Sequence, residues 1–414
     1  MYHLSKNKKS QSALEYMMTY GWAILIIVIV AAVLYSMGIF SPSSFLSFSG
    51  ITGLAGFQPA YTACSSSGLM VLKISNSLGN TLSIQTINIT LPSGKSISLS
   101  NQNINILPGQ EIEIPFLNTC PTVKGTSYSA TISITYKEPT QPVVGPYYST
   151  GKATGTVSSY GNETSSSLIY YAPITLTNNQ NTSTPSPFQQ MINVSNSTSI
   201  WSYINTSPTS FGQNVEFFYP NGTIIPSWLE SYNTTKGNAI WWIKVGSIGS
   251  HYSNTIYIGF ASKSTNLLNT INDGEAPQIP CIEQGITNTS KCSVYAKYDD
   301  GANVFNYYEN FAGTSLNTNI WNNYYADTTN AGTNNQINTG SYTAGVFNIY
   351  GFAYDSGSLA TFYYNYNVRT TSTSDVPTYT NKMYLGLTSG TSGVYVQWVR
   401  VRAYPPNGAM PSVS

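Results

Sequence analysis

Charge is what this sequence has least of. Only 8% of its 414 residues are Asp, Glu, Lys or Arg. Nucleic-acid binding needs clustered Lys and Arg to neutralise phosphates, and beyond Lys6, Lys8 and Lys9 the chain has 14 basic against 16 acidic residues, which argues against that function. There are two histidines, His3 and His251, and neither lies near a cysteine pair. That removes a Cys–His zinc centre and a Ser-His-Asp triad. No glycine loop for phosphate is present. Leu, Lys and Glu are scarce, and no long amphipathic helix follows residue 40. Glycosidase chemistry needs two carboxyls about 5–10 Å apart. Glu111 and Glu113 have a suitable spacing on one strand, but "PGQEIEIPF" reads as an edge strand with a polar outer face. Asp299 and Asp300 are adjacent, which leaves a turn or a calcium site open there. The chain reads as a non-enzyme without cofactor or committed metal ligands.

What is present is Ser, Thr, Asn, Tyr and Gly, with 33 tyrosines and 33 glycines. Short alternating runs recur between turn residues: "LMVLKISN", "TLSIQTINIT", "EIEIPF", "SATISITY", "NTIYIGF" and "YVQWVRVRAY". Period 2 marks strands. The expected fold is mainly β, an N-terminal hydrophobic transmembrane α-helix followed by tandem antiparallel β-sandwiches, Ig-like and jelly-roll-like.

The exception is the N-terminus. From Met17 to Phe40 no residue is charged, and Trp22 to Tyr35 is unbroken apolar sequence. Those 24 residues span about 36 Å at 1.5 Å each, enough for a hydrocarbon core of about 30 Å. A signal-peptide core is shorter and ends at a small-residue cleavage site. Lys6, Lys8 and Lys9 precede the run, and no Lys or Arg follows it before residue 60. The positive-inside rule then keeps the N-terminus cytoplasmic and the bulk outside. Glu15 does not suit a plain anchor, because a carboxylate at the edge of a bilayer helix is costly unless paired. Cutting between Ser10 and Gln11 removes the lysines and makes Glu15 the fifth residue. It can then pair with the terminal ammonium of a neighbouring helix, and the helix dipole favours it there. The rival is a single-pass anchor with an accidental Glu.

The order Lys-Lys-Ser-Gln11-Ser12-Ala13-Leu14-Glu15-Tyr16 resembles the class III signal peptide of archaeal type IV pilin-like proteins. The resemblance implies a prepilin-type peptidase cutting before Gln11, and a retained helix that packs with other pilin subunits in a filament core. It divides the chain into a leader (1–10), an assembly and transmembrane helix (11–40), a pilin-type β-sandwich (41–158), a second β-sandwich (159–280) and an abridged jelly roll (281–414). Without its leader the chain carries 14 basic against 16 acidic residues. The Pro-rich "KEPTQPVVGPYYSTG" (137–151) reads as a spacer or edge crossover, and "GKATGTVSS" as a closing strand of the first sandwich.

The stretch from "VEFFYPNGT" to "NTIYIGF", with Asn221–Thr223, Trp228, Glu230 and Trp242–Val245, resembles a domain of unknown function of archaeal and bacterial surface proteins. That domain often lies beside concanavalin-like lectin modules. "YYENFAGTSLNTNIW" and "VYVQWVRVRAY" resemble the first and last strands of such modules, with Gln397 where the pattern has a carboxylate. In "AIWWIKV", Trp241, Ile243 and Val245 share one face, and Ile240, Trp242 and Lys244 the other. The face with Lys244 is expected to be the less fully buried of the two, so Trp242 is a candidate for stacking on a sugar ring. The bland alternative is that a loop covers it.

Four cysteines in an exterior protein favour two local disulfides, Cys64–Cys120 and Cys281–Cys292, over buried free thiols. Sequons for N-glycosylation stand at Asn88, Asn162, Asn181, Asn193, Asn196, Asn205, Asn221, Asn233 and Asn288. The expected protein is therefore a membrane-inserted, then filament-borne, cell-surface subunit whose outer β-domains bind a surface or a glycan. A membrane-anchored receptor that does not polymerise is the alternative.

Overall fold

The structure, a computed structural model, describes residues 49–141, 145–159, 163–286, 292–312, 348–355, 359–373 and 396–414. Ser10, Gln11, Glu15 and the apolar run lie outside these residues, as do Asn162 and Asn288. Among the described residues no helix is long and apolar enough to cross a membrane. The fold is mainly β, built as packed sheets.

Eight strands form the first sandwich: β1 (Ser49–Gly53), β2 (Ala60–Cys64), β3 (Met70–Ser75), β4 (Leu82–Thr90), β5 (Ser96–Ile106), β6 (Glu111–Phe116), β7 (Ser127–Lys137) and β8 (Tyr147–Thr156). They pair in the order β5-β4-β7-β8-β1-β2-β3-β6, and every pair is antiparallel. β1 joins the two layers. Ser49 and Gly50 pair with β2, and Ile51 to Gly53 pair with β8. Alternation does what period 2 requires. In β7 Tyr128, Ala130, Ile132, Ile134 and Tyr136 all point inward and are buried. They meet Ile84, Ile87 and Ile89 of β4 and Leu72 and Ile74 of β3 in one core. Burying each such large side chain stabilises by about 1.5–3 kcal/mol before entropy is counted. β6 is the outer strand of its layer, as "EIEIPF" suggests, and Lys73 Nζ holds Glu111 at 2.7 Å and Glu113 at 3.5 Å. The segment 137–151 is no spacer. It turns the chain from β7 into β8, and "GKATGT" completes the strand between β7 and β1.

A second pair of sheets follows. β9 (Leu168–Thr177), β10 (Phe188–Ser195), β11 (Val215–Phe218), β12 (Ser227–Asn233), β13 (Asn238–Val245), β14 (Ser253–Ala261) and β15 (Asp273–Glu275) supply most of it. One sheet runs β10-β13-β12-β15, with β15 parallel to β12. The other runs β11-β14-β9 and is completed by the last strand of the chain, Ser412–Val413, antiparallel to β9. In the C-terminal part Tyr307–Glu309 pairs with Val399–Val401, so the stretches expected as first and last strands of a module are neighbours. A separate three-stranded sheet joins Tyr350–Asp355, Leu359–Tyr364 and Asn367–Ser372.

The division at 280/281 does not separate two cores. Val304, Phe305 and Ala403 lie in one buried cluster with Phe188, Trp228 and Trp242. The buried Gln189 ties the parts together, with Nε2 donating to the Val304 carbonyl (3.1 Å) and Oε1 accepting from the Ala403 amide (2.7 Å). The first and second sandwiches also touch. Ser66 Oγ and the Ser67 amide donate to Glu163 at 3.0 Å each, and Leu117 packs on Leu168, Phe218 and Tyr257. Both expected disulfides are formed, with Cα–Cα distances of 5.7 Å for Cys64–Cys120 and 5.9 Å for Cys281–Cys292.

Candidate functional site

The face of β13 that carries Trp242 is covered, which is the second of the two readings its sequence allowed. Trp241, Ile243 and Val245 enter the sandwich core, as their alternation requires. Trp242 points the other way, yet it is only 1% exposed. Its neighbour across the sheet is Trp228 on β12. A bulge between Leu229 and Ser231 inserts Glu230, whose Oε2 accepts from Trp242 Nε1 at 2.9 Å. Residues from far along the chain close over this face. Tyr366 OH donates to Glu230, and Arg400 forms an ion pair with Glu230 while donating to Tyr366 OH at 2.7 Å. The Arg400 guanidinium lies 4.4 Å from the centre of Trp242, 4.6 Å from Trp398 and 4.7 Å from Phe305. These are cation–π distances. Trp242 therefore carries no open stacking face, and the expectation of sugar stacking there is corrected. Sequence alternation gave the right direction for the side chain but not the cover supplied by Tyr366 and Arg400.

Asp299 anchors the rim of this cluster. Its Oδ1 accepts from Trp228 Nε1 (2.8 Å) and the Gly301 amide (3.0 Å). Its Oδ2 accepts from Tyr308 OH (2.9 Å) and Asn310 Nδ2 (2.7 Å). Four donors fill the roughly four acceptor positions of a carboxylate. Asp299 is thus a hydrogen-bond hub and has no lone pair left for calcium.

An open cleft of about 150 Å³ lies beside the second disulfide. Its walls are Thr209, Ser210 and Gln213 from the loop before β11, Asn266 and Leu268 after β14, Pro280, Glu283 and Gln284, and Lys297 and Tyr298. The short helix Ile279–Glu283 carries both Cys281 and Glu283, so the bridge to Cys292 tethers that wall to the stretch leading to Lys297 and Tyr298. Glu283 Oε1 accepts from the Phe211 amide at 2.8 Å, and Asn266 Nδ2 donates to Tyr298 OH at 3.3 Å. Lys297 Nζ sits 4.6 Å over the Tyr298 ring. Hydroxyls, amides, one carboxyl, one ammonium and one aromatic ring line it. A cavity of this size accommodates about one six-membered ring.

Behind the cleft lies a set of buried acids. Asp273 and Glu275 flank Gly274 on β15, 3% and 1% exposed, and Asp300 is 1% exposed. Glu275 is pushed up to about 9 by burial and then by Glu283 and Asp299, against the pull of Lys297. Burial raises Glu283 to about 7, opposed by the Phe211 amide and Lys297. Glu216 on β11 is likewise raised to about 7 by burial, opposed by the Ser165 amide. Asp273 is raised well above its ordinary range by burial and then by Glu216; Asp300 by burial and then by Asp273 and Asp299. No group of three or more metal-ligating side chains occurs among the described residues. Of these acids only Asp300 was singled out in the sequence, beside Asp299 as a turn or calcium candidate; the cleft residues and the other acids were not. The available signal was the two-residue spacing of Asp273 and Glu275.

The sequons divide by environment. Asn181, Asn193, Asn196 and Asn233 are exposed, and Asn88 and Asn221 are half-buried. Asn205 is buried, and its Nδ2 donates to Ser210 Oγ (2.9 Å) and the Lys263 carbonyl (3.0 Å). An amide with both protons engaged inside the fold is no glycan acceptor there, which corrects that position.

Residues 211–276, which include β11 to β15 and, of the cleft, Gln213, Asn266 and Leu268, match a protein family described as a domain of unknown function (DUF2341). Over 191 residues the chain is 33% identical to "Uncharacterized protein 562" of Sulfolobus islandicus rod-shaped virus 1, covering 45% of this chain and 30% of that protein. The chain thus spans about a third of the length of this relative. Among solved structures, chitinase ChiA74 from Bacillus thuringiensis is similar at 17% identity over 51% of this chain and 27% of its own, with a TM-score of 0.14. A likeness that weak supports no statement about fold or activity.

Proposed function

We propose that this protein is a pilin-like cell-surface subunit, inserted by its apolar N-terminal helix, cut before Gln11 and built into a filament through that helix. One observation carries the reading: Lys8, Lys9, Ser10, Gln11 and Glu15 stand in order directly against an uncharged stretch of 24 residues. An exterior setting for the rest is supported by two disulfides and by exposed sequon asparagines. On this reading the first sandwich is the pilin-type, Ig-like body. The shared second and third parts are an outward adhesive head, the third with a jelly-roll-like plan. The polar cleft between Ser210, Glu283 and Tyr298 takes the place of Trp242 as its glycan-facing surface. Residues 159–414 form a large head for a closely stacked lattice, which favours a minor or tip subunit. A membrane-anchored receptor that never polymerises is the second reading.

The two separate at Glu15. Glu15→Gln keeps size and helix propensity and removes the charge. Membrane insertion should be unharmed, since an acidic group costs free energy in the bilayer. Assembly should suffer, because the ammonium at Gln11 of the neighbouring subunit loses its partner. The variant should accumulate in processed form in the membrane and be depleted from sheared filaments. Wild-type levels of Glu15→Gln in filaments, or a wild-type protein missing from every filament fraction, would favour the anchored receptor.

A further inference from the structure

The carboxyls around β15 are buried without the groups that normally accompany buried charge. Among the described residues, both oxygens of Glu275 and of Asp300, and Oδ1 of Asp273, have no hydrogen-bond partner. The other Asp273 oxygen takes only the Asn269 amide, at 3.2 Å. Asp300 lies flat on the strand: a side-chain carbon at Gly274 would sit 2.1 Å from its Oδ1. Gly274 is therefore required by this contact. The groups that face these carboxyls are mostly acidic themselves. Around Glu275 they are Glu283, Asp299, Tyr232 and the exposed Lys297. Asp300 faces Asp273 and Asp299, and Asp273 faces Glu216. An unpaired ionised carboxylate in such a place is costly, and the group avoids that cost by keeping its proton.

We propose that the segment from β15 through the helix Ile279–Glu283 is an acid-held lock, docked while its carboxyls carry protons and released when they lose them. Docking is visible in the backbone. The Glu275 amide donates to the Tyr298 carbonyl (2.9 Å), and the Ala276 amide to the Leu229 carbonyl (2.8 Å). Release frees the wall that supplies Pro280, Glu283 and Gln284 to the cleft, so the cleft is intact in acid and loosened above neutrality. The sign follows from linkage. An acid whose folded value lies above its unfolded one binds protons more tightly when folded. Its stabilising contribution is full below the ordinary carboxyl range, falls as pH rises, and is gone above the folded value. The ordinary value for Glu is 4.5. The window therefore runs from there to about 7 for Glu216 and Glu283, and to about 9 for Glu275.

The test is amide hydrogen exchange on the detergent-solubilised full chain from pH 4 to pH 9, corrected for the intrinsic pH dependence of exchange. The amides of Glu275 and Ala276 should lose protection roughly tenfold per pH unit for each carboxyl that ionises on opening. Amides of Ile87 and Ile132 in the first sandwich should not change over the same range. Glu275→Gln, which keeps the shape and removes the titration, should flatten the upper part of the loss. If that variant does not fold, the wild-type profile still decides. Protection at Glu275 and Ala276 that is constant from pH 4 to 9 overturns the lock. So does a loss above neutrality that millimolar calcium reverses and chelator restores, since the carboxyls would then be held by a cation.

Discussion

Arg400→Ala is expected to destabilise the protein by about 3–5 kcal/mol, the cost of leaving a buried charge without its partner. Glu230 is 2% exposed, and its remaining donors would be Trp242 Nε1 and Tyr366 OH. The loss reaches beyond charge. The guanidinium fills the space between Trp242, Trp398 and Phe305, and three aromatic faces would be left around a void. Arg400→Lys should recover only part, because an ammonium lacks the planar fork that pairs with Glu230 while lying against the rings. The double replacement Glu230→Leu with Arg400→Met removes both charges and should be closer to wild type than either single loss. Urea unfolding of the purified chain, followed by tryptophan fluorescence, measures this. An Arg400→Ala variant within about 0.5 kcal/mol of wild type, the range of an ordinary surface substitution, would show the cluster to be incidental.

Breaking Cys64–Cys120 is the second large effect. Cys64 ends β2 and Cys120 follows β6, so the bridge spans one layer of the first sandwich and closes 57 residues. Chain entropy puts its contribution at about 4 kcal/mol. Cys64→Ala with Cys120→Ala should lower the unfolding free energy of the first sandwich by about 4 kcal/mol. The cluster around Trp242 should stay native, because its own staple is Cys281–Cys292. Peptide mapping without reductant checks the pairing, and four free thiols or a bridge between Cys64 and Cys281 would contradict it.

Much of the fold was legible in the sequence for a simple reason. In "SATISITY" and "TINIT" every second residue is apolar, and one buried face is all a strand needs to declare itself. β5 was harder. "SISLSNQNINI" is an edge strand at one end of the pairing order, and hydroxyls and amides interrupt its pattern. β15 has three residues, Asp-Gly-Glu, too few for any period and acidic where burial is least expected. The disulfides followed from parity and locality. The cover over Trp242 did not, because Tyr366 and Arg400 lie more than 120 residues further along. The same distance hid the shared core of the second and third parts. No local pattern tells that Ala403 donates to Gln189, or that Ser412 closes the sheet begun by β9.

The polar cleft and the acids behind it belong to one physical arrangement. Glu283 faces the cleft and repels Glu275 beneath it, while Lys297 attracts both. A surface rich in hydroxyl and amide groups changes little with pH, and the buried acids then make the pH response local. On the proposed reading the lock would be closed wherever the exterior is acidic.

The central claim concerns the N-terminus, and the mass of the mature chain tests it most directly. Protein recovered from the native membrane or from sheared filaments, digested and examined by mass spectrometry, should yield an N-terminal peptide beginning at Gln11 with Glu15 as its fifth residue. A mature protein that still carries Met1, or one that begins after Phe40, would contradict the account.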